Sequence, residues 1–186
     1  MFGKRLHVVR LWRLPVGWIA CALLVGGWGG LNAQPVLEYE VKAAFLLNFA
    51  KFVDWPPSAF ASADSPIAIC ILGRDPFGRT IDDAVQDEAV NGRKVVVRRI
   101  TQAPAPRSCQ IVFTEETGKE TRAILSSLGP GVLTVGEGDS FVREGGIIGF
   151  LIESRHVRFD IDRKAAELAE LKLSSRLLAV ARTVKK

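Results

Sequence analysis

Residues 66–73 read Pro-Ile-Ala-Ile-Cys-Ile-Leu-Gly, which places six consecutive apolar residues between a proline and a glycine. An apolar run of this length, without polar alternation, is typical of a strand that is buried on both faces. Such strands occur in parallel sheets that have helices packed on both sides. The run therefore favours an α/β protein.

The patterns on either side of this run extend the same fold. Further strands are predicted over residues 94–100, 109–114, 132–135, 147–152 and 156–161. The last two form an antiparallel hairpin that turns at residues 153–155. The expected architecture is a three-layer α/β fold with a mainly parallel sheet, an antiparallel hairpin at one side and helices on both faces.

Helices are predicted over residues 38–53, 75–86, 115–128, 162–171 and 174–183. Asp75, Thr114, Asp162 and Ser174 stand where residues that cap helix N-termini are expected. Residues 136–139, Gly-Glu-Gly-Asp, are expected to form a flexible loop. The order of elements thus combines strand–helix–strand units with one hairpin.

The positive charge of the chain is concentrated at one end. The whole sequence holds 25 Lys and Arg against 20 Asp and Glu, a net charge of +5. Residues 1–33 contain four of those bases and no acid, so the remainder holds 21 bases against 20 acids. A near-neutral remainder gives no support to a nucleic-acid-binding surface, and no nucleic-acid partner is expected.

Residues 1–33 have the layout of a secretory signal peptide. A cationic start ends at Arg13, an apolar stretch runs from Val16 to about Trp28, and small residues follow. The apolar stretch is shorter than the ~20 residues that a membrane-spanning helix needs. We therefore expect a cleaved signal peptide over residues 1–33 and a single exported domain over residues 34–186. Lipidation at Cys21 is disfavoured, because a bulky tryptophan precedes it by three positions.

The expected mature chain keeps two cysteines, Cys70 and Cys109. Two cysteines in an exported protein most simply form one disulfide, because the compartment is oxidising. The alternative is a pair of buried free thiols. The disulfide is the favoured interpretation.

An aromatic stripe marks the first predicted helix. Phe45, Phe49 and Phe52 stand at positions i, i+4 and i+7 and so share one helix face. Core packing is one interpretation of this stripe, and a partner or dimer surface is the other. Together with the turn at Trp55, the stripe is the candidate partner-binding surface.

No catalytic, metal or cofactor site is predicted. His156 is the only histidine of the expected mature chain, and no cysteine or histidine cluster offers the several ligands that a metal needs. No serine lies in a nucleophile-elbow pattern. Arg155, His156 and Arg158 form a small cationic group, which predicts either a solvated strand face or a contact with an anion.

Residues 73–80 follow a strand and precede a helix, as a phosphate-binding loop would. Pro76 removes one backbone donor from that loop, and Asp75 adds negative charge where phosphate would lie. We therefore expect an ordinary strand-to-helix turn.

Several short motifs stand in a specific order. Residues 38–52, Glu-Tyr-Glu-Val-Lys-Ala-Ala-Phe-Leu-Leu-Asn-Phe-Ala-Lys-Phe, precede a Trp-Pro pair. The motifs that follow are Leu-Gly-Arg-Asp-Pro-Phe-Gly at 72–78, Val-Asn-Gly-Arg at 90–93, Leu-Thr-Val-Gly at 133–136, Gly-Gly-Ile-Ile at 145–148, Val-Arg-Phe at 157–159 and Lys-Leu-Ser-Ser at 172–175. As an ordered set covering essentially the whole expected mature chain, they resemble the YfiR family.

The resemblance implies a periplasmic, non-enzymatic regulatory protein without a cofactor. Such proteins bind the periplasmic domain of an inner-membrane diguanylate cyclase and hold it inactive, which lowers cyclic di-GMP and biofilm formation. A homodimer and disulfide-dependent folding are also implied, with Cys70 and Cys109 matching a cysteine pair of some relatives. A second pair of those relatives, near Gly145 and Gly146, is absent here.

Two other functions remain compatible with the sequence. A periplasmic small-ligand sensor would hold its ligand at the carboxyl ends of the strands, near Gly73, Gly136 and Gly138. A hydrolase would depend on His156.

Overall fold

A mixed sheet of eight strands carries the fold in the computed structural model, which describes residues 33–116 and 118–186. The signal peptide predicted over residues 1–33 lies, apart from its last residue, outside the described residues. The described residues form ten strands, which in chain order are β1 (Val53–Asp54), β2 (Ile67–Leu72), β3 (Ala89–Val90), β4 (Arg93–Ile100), β5 (Ile111–Thr114), β6 (Leu133–Glu137), β7 (Ile148–Glu153), β8 (His156–Asp162), β9 (Lys172–Leu173) and β10 (Thr183–Lys185). Of these, β1 and β9 lie outside the sheet of eight.

The order across the large sheet is β10-β8-β7-β6-β5-β2-β4-β3. Strands β4, β2, β5, β6 and β7 run parallel, whereas β7 and β8 form the antiparallel hairpin. Strand β2 lies between β4 and β5. After β2 the chain adds β4 on one side and then β5 on the other, so the strand order reverses here. In open α/β sheets, ligands commonly bind beside the carboxyl ends of the strands at such a point.

The helices are α1 (Ala33–Phe52), α2 (Arg79–Val85), α3 (Lys119–Ser127), α4 (Gly138–Arg143), α5 (Arg163–Leu168) and α6 (Ser175–Val180). A short 3₁₀ turn occupies Pro57–Ala59, and the small strands β1 and β9 pair antiparallel outside the main sheet. None of the helices in the described part of the chain is long and apolar enough to cross a membrane.

The two faces of the sheet are covered unequally. The larger core lies on the face covered by α1 and α2 and contains Phe49 of α1 with Ile69 and Phe113 of the sheet. The smaller core, on the other face, contains Cys70 and Cys109 and is covered by Ile124 of α3. The predicted layers, with helices on both faces of a mainly parallel sheet, are therefore confirmed.

The disulfide predicted between Cys70 and Cys109 is present, and the two residues are 39 positions apart. Cys70 lies in β2, and Cys109 comes two residues before β5, its neighbouring strand. Both cysteines are buried in the smaller core. The bridge therefore ties two central, parallel strands together near the start of β5.

Two predicted helices begin later than expected. The Asp75 carboxylate accepts hydrogen bonds from the backbone N–H groups of Phe77 and Gly78, at 2.8 and 3.2 Å, and so closes a turn before α2. Thr114 likewise accepts from the N–H of Glu116 at 3.1 Å, and α3 begins only at Lys119. These polar side chains stabilise turns and do not cap helices.

Three other segments differ from prediction at their boundaries. The flexible loop expected over residues 136–139 is absent: residues 136–137 end β6 and residues 138–139 begin α4. Helix α1 begins five residues before its predicted start. Helix α6 ends at Val180, and residues 183–185 form β10 beside β8. The predicted caps Asp162 and Ser174 do accept hydrogen bonds from residues three positions ahead, at 2.9 and 3.2 Å.

Candidate functional site

An apolar cleft of about 470 Å³ opens between α1 and the tip of the β7–β8 hairpin. We call it the hairpin cleft. Its apolar lining consists of Leu37, Val41 and Phe45 from α1 and Ile152 and Val157 from the hairpin.

The α1 side of the hairpin cleft follows from helix geometry. Leu37, Val41 and Phe45 are spaced by four residues and so lie along one stripe of the helix. Phe45 packs its ring against Phe159 of β8, with ring centroids 5.3 Å apart, whereas Leu37 is 62 % exposed. The stripe therefore runs from the core outwards into solvent.

The hairpin side of the cleft comes from a tight two-residue turn. Glu153 pairs with His156, so Ser154 and Arg155 alone form the turn between the strands. Just before it, Ile152 is 50 % exposed, and Val157 follows on the second strand. The turn thus brings apolar and cationic side chains to one border of the cleft.

Three polar residues also line the hairpin cleft: Glu38, Arg155 and His156. The Glu38 carboxylate accepts from the Nζ of Lys42 at 2.5 Å. Nδ1 of His156 lies 2.9 Å from the carbonyl oxygen of Ser154. Arg155 forms no ion pair with another described residue, so its guanidinium is available to an anionic group.

The aromatic residues predicted to bind a partner are separated by the structure. Phe45 borders the hairpin cleft, but Phe49 is completely buried and its ring lies 5.7 Å from that of Phe150. Phe52 is half-buried against the larger core. Trp55 lies beyond the other end of α1, where its Nε1 donates to the carbonyl oxygen of Gln110 at 3.2 Å. Phe45 therefore adjoins the hairpin cleft, whereas Trp55 lines a smaller cleft of about 210 Å³ with Phe60.

The predicted cationic group is also divided. Arg155 and His156 lie at the hairpin cleft, next to residues of α1 that the sequence did not connect with them. Arg158 is exposed on β8, and its strand neighbours Val157 and Phe159 pack towards the larger core. Since side chains alternate along a strand, Arg158 lies on the opposite face of the sheet.

A buried lysine contacts Glu38 of the hairpin cleft and was not predicted. Lys42 is 1 % exposed, and its Nζ donates to both carboxylate oxygens of Glu137, at 2.7 and 2.8 Å, and to Glu38. Burial raises the pKa of Glu137, although the hydrogen bonds from Lys42 act in the opposite direction. This ion pair attaches α1 to the carboxyl end of β6.

A second contact attaches α1 to the neighbouring strand. The Tyr39 hydroxyl donates to the Glu115 carboxylate at 3.1 Å, directly after β5, and Arg74 also lies against that carboxylate at 2.9 Å. Burial, together with the charges of Glu137 and Glu115, raises the pKa of Tyr39. Carboxylates at the ends of two parallel strands are thus occupied by side chains of the protein itself.

The small-ligand pocket expected near Gly136 is filled by a phenylalanine. The Phe141 ring lies between Gly136 and Gly146, and a Cβ added at either glycine would approach it to 2.2 or 2.1 Å. Gly73 borders an open depression of about 400 Å³ at the end of β2. The two predicted parts of the ligand site therefore do not form one cavity.

The turn at residues 73–80 is closed by its own side chains. Besides its two backbone hydrogen bonds, the Asp75 carboxylate accepts from Nε of Arg99 at 2.8 Å. Arg99 also pairs with Asp82 and lowers the pKa of that carboxyl group. The segment is a structural strand-to-helix turn, as expected.

Comparison with known families gives a match along most of the chain. The model of the YfiR/HmsC-like family matches residues 39–182, which include α1 from Tyr39 onwards, the disulfide and both strands of the hairpin. No curated protein matches the sequence at the significance required.

Comparison with solved structures supports the fold. A crystal structure described as a conserved domain protein from Vibrio cholerae is similar, with a TM-score of 0.51 and 10 % sequence identity. The similarity covers 79 % of this chain but only 60 % of that protein's chain. At this identity the likeness concerns the fold alone.

Proposed function

Because this chain belongs to the YfiR/HmsC-like family, we propose that it represses a membrane-bound signalling enzyme by direct binding. Membership of the family supports a periplasmic regulatory role in general. The specific proposal is that the protein binds the periplasmic domain of an inner-membrane diguanylate cyclase, holds it inactive and lowers cyclic di-GMP.

The exposed apolar surface of the hairpin cleft carries this proposal. Three of the five large hydrophobic side chains that are exposed among the described residues, Leu37, Val41 and Ile152, line this one cleft. Scattered single apolar residues are normal on a protein surface, whereas a cluster in a concave site is typical of an interaction surface. The cluster therefore favours a protein whose function is binding.

The disulfide supports the proposed compartment. Structural disulfides persist in oxidising compartments such as the periplasm and are rare in the cytosol. The Cys70–Cys109 bridge lies within the core and joins two central strands. Export by a cleaved signal peptide and the homodimer remain predictions from the sequence.

The arrangement of the polar residues favours a binding function over a catalytic one. Lys42, the most buried ionisable group of α1, is held by two carboxylates, and His156 stands at an exposed turn beside the carbonyl oxygen of Ser154. A hydrolase would need His156 beside a nucleophile, and the only described partner within hydrogen-bonding distance of its ring is that carbonyl. Repression by contact requires none of this chemistry.

Co-expression with a membrane-bound diguanylate cyclase tests the proposal. Cyclic di-GMP would be measured in cells that produce the cyclase with the full-length protein, with a variant lacking residues 1–33, or with neither. We expect the full-length protein to lower cyclic di-GMP several-fold and the variant without the export signal to have no effect. Equal cyclic di-GMP in all three strains, with the disulfide-bonded protein present in the periplasm, would reject the proposal.

A further inference from the structure

The turn at the tip of the hairpin holds Arg155 in a costly backbone conformation. Ser154 and Arg155 have φ angles of 49° and 64°, in the left-handed region that favours glycine and asparagine. Two-residue hairpin turns of this kind are usually built from Asn-Gly. Strained backbone of this sort is often found at binding sites, where the side chain is needed in place.

The hairpin border of the cleft carries the Arg155 guanidinium. Glu38, the acidic residue in the lining, shares buried Lys42 with Glu137. Arg155 has no ion-pair partner among the described residues. The cleft therefore combines an apolar lining with a guanidinium that forms no ion pair with a described residue, and an apolar group next to a carboxylate would complement both.

A second copy of this chain is a poor complement to that surface. In a twofold-symmetric dimer through the cleft, each copy would present the same patch to the other. The patch offers Arg155, and its one lining carboxylate, Glu38, already accepts a hydrogen bond from Lys42. A different protein that supplies the carboxylate matches the surface better.

We propose that the hairpin cleft is the surface that receives the regulated partner, and that the partner supplies an apolar segment flanked by an Asp or Glu that pairs with Arg155. This inference rests on the proposed function, because it specifies how the repressed protein is recognised. Leu37 and Ile152 contact the apolar side chains of that segment. Arg155 attracts its carboxylate and fixes its orientation.

Binding measurements on variants of the hairpin cleft test whether the partner binds there. The protein would be purified from the periplasm after expression of the full chain, and its affinity for the periplasmic domain of the diguanylate cyclase measured. We expect Leu37→Asp and Ile152→Asp to weaken binding at least about tenfold, as charges introduced into a central apolar contact do. Val180→Asp on α6 is the matched control, because Val180 is similarly exposed, at 59 %, and lies outside the cleft.

The variant Arg155→Gly tests the charge without damaging the fold. Glycine accepts the φ of 64°, so this variant should melt at a higher temperature than the original protein. We expect it nevertheless to bind the cyclase domain more weakly, and its association rate to lose most of its dependence on salt concentration. A stable variant that binds normally would show that Arg155 has no part in recognition.

A matched pair of synthetic peptides separates this inference from the proposed function. Both peptides carry the same apolar helical stripe, and they differ only in flanking glutamates or lysines. We expect the glutamate peptide to bind about tenfold more tightly and Leu37→Asp to abolish this binding, whether or not the cyclase is the natural partner. Equal or absent binding of the two peptides would overturn the inference.

Two further results would also overturn it. If Leu168→Asp, in the exposed part of α5, prevented cyclase binding while Leu37→Asp did not, the partner would bind elsewhere. If Leu37→Asp changed a dimer into a monomer in analytical ultracentrifugation, the occupant of the cleft would be a second copy of the chain. Failure of the cyclase to bind any form of the protein, with selective binding of the glutamate peptide, would reject only the proposed function.

Discussion

Lys42 of α1 and Glu137 at the end of β6 form a buried ion pair across 95 positions of sequence, with both carboxylate oxygens within 2.8 Å of Nζ. Glu38 approaches the same nitrogen from the preceding turn of α1. Glu38 connects this pair to the hairpin cleft, because it also lines the cleft. The pair makes the position of α1 depend on a charge interaction inside the protein.

Removing the lysine should destabilise the fold strongly. Lys42→Met leaves Glu137 without its partner in a buried position, and loss of one partner of a buried pair costs about 3–5 kcal/mol. Urea denaturation followed by circular dichroism measures this change. Lys51→Met is the control, because Lys51 on the same helix pairs with Glu88 at the surface, where a pair contributes about 0–1 kcal/mol. Equal effects of the two substitutions would contradict the importance assigned to the buried pair.

Stability should rise as the pH falls from neutral. The pKa of Glu137 is raised above its ordinary value of 4.5, so the folded protein takes up a proton more readily than the unfolded chain. This contribution to stability is present at pH values below the unfolded pKa and is lost as the pH rises through the raised value. Thermal melts between pH 7.5 and 5 should show the melting temperature increasing, and Glu137→Gln should remove most of that increase. At lower pH the effect of Asp82 and Asp139 is opposite, because Arg99 and Arg143 lower their pKa values. Protonation of these two carboxylates therefore reduces the stability of the fold.

The packing of Phe141 between two glycines predicts a steric effect. Gly146→Ala places a methyl group 2.1 Å from the ring, which forces the ring or the backbone to move. Overpacking of this kind costs about 1–3 kcal/mol. Gly129→Ala is the control, because a Cβ there meets nothing within 4 Å. Combining Gly146→Ala with Phe141→Leu should cost less than the sum of the two single changes, whereas simple additivity in chemical denaturation would argue against the contact.

Reducing the disulfide should lower stability without altering the hairpin cleft. The Cys70–Cys109 bridge closes a loop of 39 residues, for which the chain-entropy model gives about 3–4 kcal/mol. Replacing both cysteines by alanine should lower the free energy of unfolding by a similar amount. The folded fraction should bind the cyclase domain normally, because the bridge lies in the smaller core, and the apolar residues lining the cleft do not belong to that core. A variant that is folded but does not bind the cyclase domain would show that the disulfide affects the hairpin cleft.

The sequence predicted the parts of the fold that depend on local patterns. The unbroken apolar run of β2 and the alternation along β8 each reflect burial that one segment experiences along its whole length. Helix α4 and strand β10 were not predicted, because they have six and three residues and are stabilised by tertiary contacts. For example, the backbone N–H of Arg182, just before β10, donates to the carbonyl oxygen of Phe159 in β8 at 2.9 Å.

The candidate site was predicted only in pieces. Phe45 was selected on its helix and Arg155 on its hairpin, but their proximity depends on how α1 packs across the sheet. Lys42 was missed because Glu38 and Lys42, four positions apart, have the spacing of an ordinary surface pair. The sequence contains no local signal that Glu137 approaches from a strand 95 positions away.

The two attachments of α1 have a consequence for the thermodynamics of recognition. Lys42 and Tyr39 fasten one side of the helix to the sheet, so Leu37 and Val41 on its other side project from a backbone that is already ordered. A partner that contacts them pays little conformational entropy for ordering this protein, and the affinity can be high for a small contact area. The complex should accordingly form by rigid-body docking, with a heat-capacity decrease that reflects the apolar area buried and no added contribution from folding of α1.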